Sequence, residues 1–324
     1  MVRQRAIIPY SLPRISEFIT LIHYNSLVRN YFLFFTLILF VACSCAPKAT
    51  ATTSLSSTSG SSSYIQNEGS DTMVNLALAW AERYQQENPL IQISVTGGGS
   101  GTGITALING TVDIANASRE MKPEEIQKAM DNGFTPESFV VAKDAIAVIV
   151  NPENPIGQLT LEQLSYIYKG EITNWKQLGG EDRPIVAVSR ESNSGTHVYF
   201  LETVVRLGNS TDKSIFAPTV LLLPSSEGII SEVRDNPNAI GYDGLGYITS
   251  EVKVLAVAKD ATSGHIYPSA ETVKNKTYPI SRDLYMYTKG TPQGYILAYI
   301  DWCMSAEGQA IVTQLGFVPI STGK

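Results

Sequence analysis

Three short segments rich in serine, threonine and glycine constrain this chain more than any other feature. They are Gly69-Ser70-Asp71-Thr72, Gly97-Gly98-Gly99-Ser100-Gly101-Thr102-Gly103 and Arg190-Glu191-Ser192-Asn193-Ser194-Gly195-Thr196. Each stands just ahead of a stretch that reads as a helix. A helix start offers N–H groups with no intrahelical acceptor and the positive end of the helix dipole. Serine and threonine add hydroxyl donors, and glycine lets the backbone come close to a ligand. One such segment is only a helix cap. Three of them, one with an arginine four residues ahead of Ser194, point to a single oxyanion held from several sides.

Between these segments strand and helix patterns alternate. The spacing predicts strands at 64–66, 91–95, 112–115, 145–150, 185–188, 252–257 and 285–287. Helices are expected at 73–87, 103–107, 123–130, 160–168, 196–205 and 293–315. Asn88-Pro89 closes the first helix, and Pro123 opens another at the first-turn position where its missing N–H costs nothing. This βαβ rhythm predicts an α/β fold. The chain has 324 residues, enough for two lobes with their own cores.

The start of the chain reads as a targeting segment. Tyr31 to Ala42 is an uncharged apolar run, preceded by Arg29 and followed by Cys43-Ser44-Cys45. It is too short for an ordinary membrane span and suits a signal-peptide core. Val41-Ala42-Cys43 resembles a bacterial lipobox, so Cys43, or alternatively Cys45, is the expected lipidated residue. The long lead before the apolar run places the expected translation start near Val28. Residues 46–63 form a Ser/Thr-rich tract that cannot bury a core and reads as a tether. The expected organisation is a signal peptide with lipobox at 1–45, the tether at 46–63, a first lobe at 64–146, a second lobe at 147–250, and a return to the first lobe at 251–324.

Composition narrows the function. A net charge of −6 disfavours a nucleic-acid partner, and it requires any anion site to work by local geometry. The three cysteines and three histidines show no metal-ligand spacing, and Cys303 reads as a core residue. The glycine run ending at Gly103 follows a strand, as a phosphate loop does, but no Gly-Lys-Ser/Thr closes it. Nor is Ser100 in a nucleophile elbow, since Thr102 stands where the second glycine would be. His197 is the only local candidate for hydrolytic chemistry, so no catalytic residue is assigned. Arg190 directly follows a strand, and its fork matches a tetrahedral oxyanion; the structural alternative is a surface ion pair with Glu191 or Asp182.

These segments occur with Gly110-Thr-Val-Asp-Ile-Ala-Asn-Ala-Ser-Arg119, Tyr168-Lys-Gly-Glu-Ile-Thr-Asn-Trp175 and Ala239-Ile-Gly-Tyr242. In this combination the chain resembles the phosphate-binding lipoproteins of ABC-type phosphate importers, over nearly all of 64–320. The resemblance implies a two-lobed type II periplasmic-binding-protein fold with two hinge crossings. It implies that inorganic phosphate is held by Ser70, Asp71, Thr72, Ser100, Gly101, Ser118, Arg190, Ser194, Gly195 and Thr196. It further implies a monomer that is lipid-anchored outside the cytoplasm, uses no cofactor, and passes phosphate to the transmembrane subunits of an ABC permease.

One departure bears on selectivity. Many members of that family have an aspartate where this chain has Ser118, and that carboxylate accepts the phosphate proton that sulfate lacks. Asp71 could supply the acceptor here, or it could be a plain helix cap. The rival readings are the same fold binding sulfate, molybdate or tungstate, and a phosphate sensor or surface protein without a transport role.

Overall fold

The computed structural model describes residues 63–321. The leader, nearly all of the tether, Cys43 and Cys45 lie outside the described residues. Eleven strands are described: β1 (Ser63–Gly69), β2 (Ile91–Thr96), β3 (Ile114–Ala117), β4 (Pro136–Val150), β5 (Gln158–Thr160), β6 (Val186–Arg190), β7 (Leu221–Leu223), β8 (Ala239–Gly244), β9 (Lys253–Val254), β10 (Ala256–Ala258) and β11 (Ser281–Lys289). The helices are α1 (Val74–Glu87), α2 (Ser100–Asn109), α3 (Pro123–Asp131), α4 (Leu161–Lys169), α5 (Gly195–Phe200), α6 (Ser226–Asp235), α7 (Ala270–Lys274), α8 (Gly294–Met304) and α9 (Ala306–Gln314).

The strands follow the order β2-β1-β3-β11-β4-β8-β6-β7, with β9 also on β4. The fifteen-residue β4 belongs to both lobes. Its first part pairs antiparallel with β11, and its second part, from Ile146, pairs antiparallel with β8. That second part is apolar and fully buried from Ala145 to Val150, as a strand covered on both faces must be. On the first-lobe side α1 buries Leu76, Ala77, Trp80, Ala81 and Tyr84, one stripe of an amphipathic helix, against Ile65, Leu284 and Met286. On the second-lobe side Tyr168, Trp175, Phe200 and Tyr242 form an aromatic core, and the rings of Phe200 and Tyr242 stack at 3.6 Å and 4°.

The α/β class and the order of elements agree with the sequence pattern, and several boundaries move. The strand expected at 112–115 is β3, two residues later, because Ile114 to Ala117 is the fully buried run. The helix expected at 293–315 is broken at Ser305, whose extended backbone and hydroxyl cap α9. Residues 201–205 leave α5 as a π-turn.

Residues after β9 pack against the aromatic core. Leu255, Val257, Val273, Tyr278 and Ile280 join the second-lobe aromatic core, and β10 pairs with β5 of that lobe. Residues 255–280 thus pack with β5 and the aromatic core, while β11 pairs with β3 and the first part of β4.

Replacing Phe200 by alanine removes the stacked ring from this core. The expected loss of stability is about 3–5 kcal/mol, measured by urea denaturation. A loss well under about 1 kcal/mol would show that the stack does not support the second lobe.

Candidate functional site

Three helix starts meet between the lobes. The turn at Asp71–Met73 leads into α1, Gly99 leads into α2, and Ser194 caps α5 by accepting the Thr196 N–H at 3.2 Å. Ser118 lies just beyond β3, beside them. Ser70, Thr72, Ser100, Ser118, Arg190, Ser194 and Thr196 are all buried. The hydroxyls are bonded to one another. Ser70 Oγ donates to Ser118 Oγ at 2.9 Å, Ser100 Oγ lies 3.3 Å from Ser118 Oγ, and the Ser118 N–H donates to Ser100 Oγ at 3.0 Å. Across the cluster, Thr72 Oγ1 lies 2.7 Å from Thr196 Oγ1.

Gly195 packs tightly against the cluster. A Cβ there would stand 2.4 Å from Ser100 Oγ and 2.5 Å from Ser118 Oγ, so any side chain at this position would have to displace those hydroxyls. Gly99 is constrained in both backbone and space. Its φ of +97° lies in a region that side chains avoid, and a Cβ would meet the Asn193 carbonyl at 2.8 Å. Asn193 clasps the glycine run across the cleft: its carbonyl accepts the Gly101 N–H at 3.0 Å, and its Nδ2 donates to the Gly98 carbonyl at 2.8 Å. The Gly101 amide therefore belongs to this clasp, apart from the hydroxyl cluster with which the sequence grouped it.

Arg190 is buried and makes no surface pair with Glu191 or Asp182. Its Nη1 donates to Ser226 Oγ at 2.9 Å, and its Nη2 donates to the Pro224 carbonyl at 2.8 Å and pairs with Asp71 Oδ2 at 2.9 Å. Its Nε is buried without a hydrogen-bond partner. Asp71 is thus no plain helix cap. Its Oδ2 crosses the cleft to Arg190 and also accepts the Ser226 N–H at 3.2 Å, while its carbonyl accepts from Tyr247 Oη at 2.8 Å.

The sequence pattern missed four groups. Arg282 and Asp144 face each other in the β11–β4 register and pair at 2.9 Å. Arg282 also donates to Thr196 Oγ1 and to the Ser118 carbonyl, each at 3.0 Å. Burial raises the Asp144 carboxyl above the usual range, against the pull of Arg282. Ser226 and Asp243 stand behind Arg190, and burial pushes the Asp243 carboxyl up to about 6. Asp144, Asp243 and Arg282 are strand residues with no local signal; only the pairing of buried charges, in space, reveals them.

His197 is held by Arg190's backbone. Its Nδ1 lies 2.8 Å from the Arg190 carbonyl and 3.1 Å from Ser189 Oγ, and burial lowers its pKa, which favours the neutral ring. Among the described residues no three His, Cys, Asp or Glu side chains are placed to hold a metal ion. A wider groove of about 1060 Å³ runs beside the cluster, lined among others by Arg119, Lys122, Tyr199, Lys274 and Arg282. Of the cluster residues it reaches only Arg282, and the converging buried donors lie elsewhere.

Two α/β lobes joined through the long strand β4, with buried donors gathered between them, define a solute-binding protein of the periplasmic type. Residues 51–307 match the model of the PBP superfamily domain. The phosphate-binding protein PstS of Pseudomonas aeruginosa is 33% identical over 279 residues, covering 81% of this chain and 84% of that protein. PstS of Bacillus subtilis is 32% identical, covering 79% and 80%. A Clostridium perfringens structure, described as that of a phosphate ABC transporter substrate-binding protein and solved with phosphate bound, superposes with a TM-score of 0.71. It is 33% identical and is matched along its whole length by 80% of this chain. The chain belongs to the PBP superfamily and, within it, to the family of PstS phosphate-binding proteins.

Gly195→Ala tests the close approach. The added methyl should cost about 1–3 kcal/mol in the closed arrangement and hold the lobes apart. Small-angle X-ray scattering should then give a larger radius of gyration than for the unsubstituted chain; identical curves would show that the lobes close without this contact.

Proposed function

We propose that this chain captures inorganic phosphate outside the cytoplasm, closes its lobes on it, and delivers it to an ABC permease without covalent chemistry. The observation that carries the reading is the convergence of buried hydroxyls and the Arg190 guanidinium from three helix starts in two lobes. The P. aeruginosa and B. subtilis relatives are phosphate-binding proteins, and the C. perfringens relative holds phosphate. The ligands are Ser70, Thr72, Ser100, Ser118, Ser194, Gly195 and Thr196, with Arg190 as the charged member and Asp71 as its partner.

Hydroxyls that bond one another when the lobes meet exchange those neutral bonds for bonds to charged oxygens, each worth about 1.5–3 kcal/mol. Three or four in excess of desolvation reach the ~8 kcal/mol of a micromolar complex. Arg190 Nε, buried and unpartnered, is a donor available to the anion. Closure removes water and strengthens every such bond. Opening at the permease reverses this and releases the phosphate.

Calorimetric titration with phosphate, sulfate and molybdate tests the reading: phosphate should bind most tightly. Arg190→Ala should weaken phosphate by at least ~2 kcal/mol, and Arg190→Lys should recover only part, because lysine lacks the fork. Unchanged affinity in a folded alanine variant would remove Arg190 from the site.

The proposal extends to the start of the chain, with Cys43 or Cys45 carrying a lipid that holds the tethered monomer at the membrane. Mass spectrometry of the native protein should then find an acylated cysteine at its first residue. A mature protein that retains residues 28–42 would overturn that part.

A further inference from the structure

Asp243 lies at the end of β8, fully buried behind Arg190. Its Oδ1 accepts from Ser226 Oγ at 3.0 Å and from the Gly244 N–H at 2.7 Å. Its Oδ2 is buried with no hydrogen-bond partner and stands 3.9 Å from Arg190 Nη1. At that distance a charge is felt although no hydrogen bond forms.

The groups around it come from every neighbouring element. Arg190 faces it from β6 and Arg282 from β11. Asp71 reaches the same guanidinium from the first-lobe turn, and Asp144 on β4 contacts the adjoining Gly244 and Leu245. Tyr242 precedes it on β8, while Tyr247, close to Glu227 of α6, lies beyond. Two guanidinium groups thus serve three carboxylates: Asp71 and Asp243 share Arg190, and Asp144 takes Arg282. With all five ionised the cluster carries one net negative charge before any anion arrives. An incoming oxyanion adds negative charge against Arg190, and among the three carboxylates only Asp243 has no direct bond to a guanidinium.

We propose that Asp243 takes up a proton as the anion is captured, so that the site binds phosphate together with one proton. The inference rests on the phosphate reading above. The step is a simple one: a proton from solvent adds to the Asp243 carboxylate to form the neutral acid, and no bond of the phosphate breaks.

The direction of the pH dependence follows. Burial already places the carboxyl at about 6 without the anion, and the anion's charge raises it further. Below about 6 the acid is already protonated and binding takes up nothing there. Above that value binding must draw in a proton, so affinity falls with rising pH, by up to about tenfold per pH unit, until the pKa of the complex is passed. Phosphate's own ionisation acts in the same region, and the Asp243→Asn variant separates the two because its side chain is neutral throughout.

Inorganic phosphate is titrated calorimetrically into the full chain and into Asp243→Asn, at several pH values from about 6 to 8 and in two buffers of different ionisation enthalpy. The expected result is extra proton uptake in the unsubstituted chain, and an affinity that falls about tenfold relative to the variant across that range. Equal proton uptake and equal slopes overturn the inference and leave phosphate binding intact. Absence of phosphate binding at every pH overturns the phosphate reading and this inference with it. Should Asp243→Asn fail to fold, carboxyl carbon NMR of the unsubstituted chain decides: the Asp243 titration must move to higher pH on adding phosphate, and a stationary titration overturns the proposal.

Discussion

The pairing of Arg282 with Asp144 is the interaction on which the site depends. Both groups are buried, both lie close to the point where β4 passes from its pairing with β11 to its pairing with β8, and the β11–β4 register sets them face to face. A buried pair of this kind adds little net stability, because removing two charges from water costs about as much as their attraction returns. Its contribution is position. Arg282 reaches Ser118 on the first-lobe side and Thr196 on the second, and so ties both halves of the hydroxyl cluster to the strand pair from which β4 runs on toward β8. Breaking one partner would leave a charge stranded at the hinge, a far larger penalty than the pair's own net worth.

Around that pair the cleft is closed by short polar links and few apolar ones. Thr72 meets Thr196, Asn193 clasps the glycine run, and Asp71 crosses to Arg190. Each is a bond of modest net strength, because water can replace it when the lobes part. The large apolar cores lie on either side, within the lobes, where they hold Trp80 and Trp175 away from the moving surfaces. Cohesion is thereby separated from closure: the lobes stay folded while the contacts between them remain cheap to make and break.

The architecture was legible in the sequence because its signals are local. Periodicity gave α1, Pro123 gave the start of α3, and the serine-glycine segments gave the three helix starts that converge. What was illegible depends on pairing across distance. Asp144 looks like a polar interruption of an apolar strand, and Arg282 looks like one charge among several on a half-exposed strand; neither has a motif. An apolar run such as Val252 to Val257 likewise fixes a strand but not the elements that receive it. Asp71 was offered as a helix cap or as the acceptor of the phosphate proton, and its pairing across the cleft had no sequence signal. Its carboxylate answers to an arginine more than a hundred positions away.

The charge inventory explains how an acidic chain can be built around an anion. With a net charge of −6 and a cluster in which guanidinium groups do not outnumber carboxylates, neither the whole chain nor the cluster itself has an excess of positive charge. Recognition must come from oriented donors. Hydroxyls and helix-start amides supply partial positive charge without a counter-ion and do not attract every anion equally, as a cluster of lysines would. The carboxylates hold the guanidinium groups in place while the site waits, and they limit how tightly the anion can be held. On the proposed delivery to a permease, that limit is as useful as the affinity. A site with two uncompensated arginines would bind more strongly in the closed state and resist opening by the same amount.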